Sequence, residues 1–257
     1  MVADPQKLEE IRERGFALIE GVLDANEAAS MRERLQKCID DDLIAWQGKP
    51  YADAWMVHNL MVRGEPFVRL LENSKLHAHL GELLGDTCIL YAYTSSSMPA
   101  GGSNYSHRIH VDSPRFIPGY VTNVGVMLAL DDYTLENGAT YYLPGSHLSD
   151  AVPTEAEFFA RAERTFPKAG DAVVFNARTW HLGGKNTTGR ARHAATMNVC
   201  RSYMRQRFDY ARLVPSAIVE QLGDVGRRFL GFDVRMPVSL EEYYVPEERR
   251  LYKANQG

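Results

Sequence analysis

The sequence predicts a chain that is mostly β with flanking helices, its core a β-barrel or sandwich. Three observations carry that expectation. Apolar side chains recur at helical spacing through residues 1–86. From Cys88 to Tyr203 come six short runs rich in β-branched and aromatic residues: "CILYAYTSSS", "HRIHVD", "VTNVGVMLAL", "ATYYLPG", "DAVVFNA" and "HAATMNVCRSY". Gly, Pro, Asn and Asp punctuate them, as they do between strands. No Ser- or Gly-rich linker, repeat or low-complexity tract divides the chain, so residues 1–257 read as a single domain. Its parts are a helical N-terminal region of about 1–86, a β core of about 87–205 and a helix and loop extension of about 206–257.

Asp4 can cap a first helix with Pro5 at its first position. "GFALIEGVL" reads as a short apolar strand. Asp24 with Glu27 has the form of a capping box, and Ala28, Met31, Leu35 and Cys38 follow as one buried stripe. "EPFVRLLENSKLHAHLGELLG" continues as helix to Gly85.

With 29 basic and 33 acidic side chains, the formal net charge is -4. That balance provides no general field for nucleic acid or an anionic membrane, and no basic run accompanies it. No apolar stretch is long enough to span a bilayer, and the charged N-terminus lacks the apolar centre of a signal peptide. Cys38, Cys88 and Cys200 are far apart and odd in number, which fits reduced thiols in a cytoplasmic protein.

"SHRIHVDSPR" sets His110 and Asp112 two residues apart. On a strand that spacing aims both side chains at one point. An isolated His-x-Asp is common by chance, so a third ligand is needed to give it weight. His181, at the end of the apolar run Ala172 to Phe175 and just before two glycines, is placed to reach into a barrel mouth. Two histidines and a carboxylate occupy one face of an octahedral ion and leave other positions open, as in non-haem Fe(II) oxygenases. Arg192 shares strand parity with Ala194, Thr196 and Asn198, which points it inward, and a buried guanidinium needs an anion. A dicarboxylic acid could chelate iron at one end and pair with Arg192 at the other. By parity His107 and His193 face away.

"ENGATYYLPGSH", residues 136–147, closely resembles the Glu-Asn-Gly…Pro-Gly-Ser-His signature of the phytanoyl-CoA dioxygenase family. "LALDDYTLENG", "ERGFALIEGVLDANEAASMRERL" and "WHLGGKN" with its following arginine fit it too, over about residues 8–210. The resemblance implies a double-stranded β-helix, the jelly-roll, cupin-like architecture, and an enzyme using Fe(II), 2-oxoglutarate and O₂. It implies His110, Asp112 and His181 as iron ligands and Arg192 as the partner of the 2-oxoglutarate distal carboxylate. Related halogenases replace the carboxylate ligand with a small residue, so Asp112 implies hydroxylation or a related oxidation. Thr140, just inside its strand, is a candidate hydrogen-bond donor to the cosubstrate. Pro144, Gly145, Ser146 and His147 read as a structural turn, not as ligands.

Two features depart from the family pattern. Gly183 stands where a Ser or Thr is common, and Asp112 and His181 lie only 69 positions apart. A compact insert leaves the covering of the site to the N-terminal helices or a partner subunit. The substrate is expected to be a small molecule and the protein a monomer or homodimer. Arg108 shares the parity of His110 and Asp112 and would turn inward, with Tyr105 and Phe116 flanking the mouth and Trp55 in a segment that could cover it. This substrate wall would contact a substrate carrying a carboxylate, phosphate or polar carbonyl. The alternative is that Arg108 is a solvated strand-end charge and Trp55 a core anchor. The competing readings are a cupin-type metal-dependent isomerase or hydrolase without 2-oxoglutarate, and a non-catalytic binding protein.

Overall fold

The computed structural model describes residues 1–49, 53–234, 237–244, 246 and 248. Helix α1 (Pro5–Arg14) starts where Asp4 accepts from the backbone N–H groups of Gln6 and Lys7, and it stops at Gly15 (φ 93°). Strand β1 (Phe16–Ile19) follows. Helix α2 (Ala25–Ala45) begins with the Asp24–Glu27 capping box and buries Ala28, Met31, Leu35, Cys38 and Ile39. The stretch read as one helix to Gly85 is two. Helix α3 (Glu65–Leu70) ends early, and Asn73 caps α4 (Ser74–Leu84) by accepting from the Leu76 N–H. An Asn that offers the backbone a local acceptor favours such a new start over continued helix.

Among the described residues, eight strands make two antiparallel sheets. The large sheet runs in the order β1-β6-β3-β8-β2, with β2 Ile89–Ser95, β3 Asn123–Ala129, β6 Ala172–Asn176 and β8 Ala194–Cys200. The small sheet runs β5-β4-β7, with β4 Tyr141–Tyr142, β5 Glu163–Arg164 and β7 His181–Leu182. Helix α5 (Glu155–Arg161) lies between β4 and β5 in the chain. β1 comes from the helical N-terminal region, yet it is an edge of the large sheet, with Phe16 opposite Phe175.

Both faces of the large sheet are covered, and alternation along each strand sorts the residues. Val124, Val126, Leu128, Ala172, Val174, Ala195, Met197 and Val199 share one apolar cluster with residues of α1, α2, α3 and α4. Their neighbours Met127, Ala129, Val173, Phe175 and Ala194 join Phe16, Tyr133 and Tyr142 in a second cluster between the sheets. This is the jelly-roll arrangement expected from the sequence. The three cysteines are free and buried, and burial pushes the Cys88 thiol up to about 11 and that of Cys200 to about 12, so neither is a reactive thiolate near neutrality. Among the described residues no helix is long and apolar enough to cross a membrane.

Gly138 is one place where only glycine fits. Its φ is 89°, and a Cβ there would stand 2.4 Å from the Gly184 carbonyl oxygen. Gly138→Ala is expected to cost about 2–4 kcal/mol of unfolding free energy, from backbone strain plus overlap with a neighbouring main chain. Denaturant unfolding measures it, and a change below ~0.5 kcal/mol would contradict this account.

Candidate active site

"HRIHVD" does not form a regular strand. Only His110 bridges, exchanging backbone hydrogen bonds with His181 (3.0 and 2.9 Å) and extending the small sheet past β7. The N–H groups of Asp112 and Ser113 both donate to the Ala177 carbonyl (2.9 and 3.0 Å), which turns the chain away from the sheet edge there. One bridge is enough to place His110, Asp112 and His181 together. Their ligand-type atoms all lie within 4.8 Å of one another. Asp112 Oδ1 is 3.6 Å from His110 Nε2 and 3.8 Å from His181 Nε2.

Each histidine has its other nitrogen committed. His110 Nδ1 bonds the Arg108 carbonyl at 2.8 Å, and His181 Nδ1 bonds that of Thr179 at 2.9 Å. A carbonyl only accepts, so each Nδ1 carries a proton, which leaves each Nε2 as the ring atom that would coordinate an ion beside Asp112. Burial, and then the neighbouring His181, lower the His110 pKa to about 4 against the pull of Asp112. The His181 ring is wedged, stacked on Tyr142 with ring centroids 5.7 Å apart and edge-on to Phe175 at 5.0 Å. Two imidazoles with Nδ1 committed to carbonyls and Nε2 turned to one carboxylate fit a divalent ion.

Arg192 is 2% exposed. Its guanidinium lies 4.2 Å from the centre of the Tyr133 ring, donates to the Tyr133 hydroxyl, and reaches the carbonyls of Ser96 (3.3 Å), Asn137 (3.4 Å) and Gly138 (3.1 Å). No described carboxylate pairs with it. A buried charge with dipoles but no counter-ion fits an anionic ligand. The triad and Arg192 line one cavity of about 400 Å³, together with Thr140, Thr196 and Asn198. Thr140 is buried, and its hydroxyl has no protein partner among the described residues.

Gly183 also lines this cavity, and a Cβ there would stand 2.3 Å from Ser106 Oγ and 2.6 Å from Met98 Cε. Ser106 fills the space that a side chain at 183 would need. His107 and His193 are used elsewhere: His107 Nδ1 bonds the Gly183 carbonyl, and His193 Nδ1 bonds Ser97 Oγ. His147 bonds the Arg12 carbonyl through Nε2, fastening the Pro-Gly-Ser-His turn to α1.

The expected substrate wall divides. Arg108 and Tyr105 line the cavity. Burial, and then the charge of Asp112, push the Tyr105 phenol up. Phe116 does not line it: it borders a separate cavity of about 310 Å³, with its ring 5.6 Å from the Arg178 guanidinium carbon. The turn after Asp112 breaks the strand on which its placement depended. Trp55 is not in the wall either. It adopts a left-handed backbone conformation (φ 70°) and packs on the main apolar cluster, while Asp53 and Met56 beside it line the cavity. Sequence reading also missed Tyr91 and Arg207 in that lining.

His77, His147 and His193 share with His110 a pKa lowered chiefly by burial. The unfolded chain therefore binds more protons than the folded one below about pH 6.5. Stability of the metal-free protein is expected to be full above that pH and to fall as the pH drops toward 4. Urea midpoints at pH 7.5 and pH 5 check this, and an equal or higher midpoint at pH 5 would contradict it.

Comparison with known proteins agrees with the geometry. The model of the phytanoyl-CoA dioxygenase family, PhyH, matches residues 11–194. The uncharacterized protein Rv1501 of Mycobacterium tuberculosis is 31% identical over 252 residues, covering 95% of this chain and 92% of that protein. Among solved structures, AviO1 from Streptomyces viridochromogenes has a TM-score of 0.65 at 20% identity, over 80% of this chain and 98% of its own. The epimerase SnoN from nogalamycin biosynthesis, in complex with Fe3+, α-ketoglutarate and nogalamycin RO, has a TM-score of 0.59 at 23% identity, over 77% of this chain and 84% of its own. These two likenesses are of fold. The match across most of the chain shows that the protein belongs to the phytanoyl-CoA dioxygenase family, and with it to the iron- and 2-oxoglutarate-dependent dioxygenases.

Proposed function

We propose that the protein hydroxylates, or otherwise oxidises, a small-molecule metabolite while converting 2-oxoglutarate to succinate and CO₂. His110, Asp112 and His181 would hold the iron, and Arg192 would pair with the distal carboxylate of 2-oxoglutarate. The observation that carries this reading is Arg192: a buried guanidinium without a carboxylate partner, in the same cavity as two histidines whose Nε2 atoms are free. Iron with 2-oxoglutarate supplies the oxidising chemistry when bound. The chain's own residues orient the ligands, neutralise the cosubstrate and exclude water. Thr140 would add a hydrogen bond to the cosubstrate from its free hydroxyl.

A cupin-type isomerase or hydrolase would use the same metal ligands but would leave Arg192 buried without an anion. The SnoN structure, which holds Fe3+ and α-ketoglutarate, supports the oxygenase reading. The test is succinate release. It is expected to require Fe(II), 2-oxoglutarate and O₂ together and to stop when a chelator removes the iron. Turnover of a substrate without 2-oxoglutarate would overturn the reading. With Asp112 in the ligand set, products formed in chloride buffer are expected to gain oxygen or lose hydrogen, and a chlorinated main product would contradict that assignment.

A further inference from the structure

Three arginines line the cavity: Arg192 is buried, and Arg108 and Arg207 are exposed. Neither exposed guanidinium makes a hydrogen bond or ion pair among the described residues. Both arginines are nevertheless mounted on fixed backbone. The Arg108 carbonyl accepts from His110 Nδ1 (2.8 Å), and the adjacent His107 is tied to the Gly183 carbonyl (2.8 Å). Arg207 is held by an irregularity in β2. A register shift between Leu90 and Ala92 leaves Tyr91 out of the β2–β8 pairing. The Tyr91 carbonyl instead accepts from the Arg207 N–H (3.0 Å) and from the Tyr210 hydroxyl (3.3 Å), while Gln206 Nε2 donates to the Leu90 carbonyl (2.8 Å).

The charges around them are unbalanced. Asp53 and Asp112 are the carboxylates in the described lining. Asp53 is engaged by His58 Nε2 at 3.0 Å, and Asp112 faces the two histidines. A divalent ion beside Asp112 and a dicarboxylate on Arg192 would leave the inner half with no net charge. Two guanidiniums in one concave wall then focus positive potential on the opening. The lining adds polar Tyr91, Thr94, Ser96, Thr196 and Asn198 beside apolar residues such as Met56, Val126, Phe175 and Met197.

We propose that Arg108 and Arg207 form an anion clamp at the mouth of the cavity, and that the substrate is a small polar metabolite carrying a carboxylate or phosphate. The clamp would hold that group while the rest of the molecule reaches inward past the polar side chains. The substrate class rests on the oxygenase reading, whereas the clamp is a statement about anion binding alone.

The test is an NMR titration of the arginine Nε–H signals in protein carrying Zn(II) in place of iron and saturating 2-oxoglutarate, which occupies Arg192. Phenyl phosphate and benzoate are the probes, with benzyl alcohol as the neutral control. At least one anion is expected to move the Arg108 and Arg207 signals. Its Kd, taken by calorimetry in both proteins, is expected to rise at least tenfold in the double variant Arg108→Gln, Arg207→Gln, and benzyl alcohol is expected to move neither signal in the parent. The stronger of the two anions identifies phosphate or carboxylate. Both substitutions change exposed side chains, and a thermal midpoint within a few degrees of the parent verifies the fold. Shifts confined to other arginines, no shift with either anion, or an unchanged Kd in the double variant would overturn the clamp. Calorimetric 2-oxoglutarate binding in the same samples is a separate readout. Its failure counts against the oxygenase reading alone, because the titration repeated without metal and cosubstrate still reads the two signals.

Discussion

Arg192→Met is expected to raise the 2-oxoglutarate requirement by about thirtyfold to several thousandfold, the equivalent of ~2–5 kcal/mol for losing one partner of a desolvated ion pair. Metal affinity should change little, because Arg192 is not among the three clustered ligand-type residues. Stability should change little as well. The guanidinium is held by carbonyls and one hydroxyl, and methionine removes a buried charge while keeping much of the volume. The measurement is KM for 2-oxoglutarate beside a calorimetric metal titration and a thermal midpoint. An unchanged KM would remove Arg192 from the cosubstrate site, and a collapsed midpoint would mark it as a structural tie.

His181→Ala is expected to lower Fe(II) affinity and succinate formation by more than about a hundredfold. Loss of a partner that only orients a metal ligand typically costs 10–100-fold, and here the ligand itself goes. The visible absorption expected from anaerobic Fe(II) with 2-oxoglutarate should disappear at concentrations that saturate the parent protein. The ring also fills space beside Tyr142 and Phe175, so some destabilisation accompanies the change. Asp112→Ala separates the two effects, since that side chain is only partly buried and supports no packing of this kind. Full iron affinity in both variants would refute the ligand assignment.

Much of this geometry is legible in the sequence where the backbone is regular. β8 is a seven-residue strand without a break and Arg192, bridged to Met98 just before it, keeps its alternation, so parity places Arg192, Thr196 and Asn198 on one face, and all three line the cavity. Arg108 and His110 follow the same logic across a single bridge. Parity fails at Phe116 because two backbone N–H groups meet one carbonyl at Ala177 and the chain leaves the sheet. Trp55, expected from its place before the barrel to cover the mouth, instead packs on the main apolar cluster from a left-handed backbone position. Arg207 carries no local signal. Its position depends on an unpaired Tyr91 carbonyl more than a hundred positions earlier in the chain, which no periodicity encodes.

The pairing of Phe16 with Phe175 also bears on the order in which the molecule can assemble. β1 is synthesised long before its partner β6, with helices α2 to α5 and strands β2 to β5 between them in sequence. The loop leading to His181 is fastened to the same early segment, since the Gly15 carbonyl accepts from the Asn176 N–H (2.8 Å) and from the Thr179 hydroxyl (3.0 Å). Such distant contacts are slow to form, because the intervening chain must be ordered before they contribute stability. A nascent chain would therefore hold its helices early and wait, with one apolar edge unpaired, until residue 176 is free. The loop that carries His181 would stay loose until that contact forms, so the Gly15 carbonyl couples a remote stretch of chain to the order of the ligand-bearing loop.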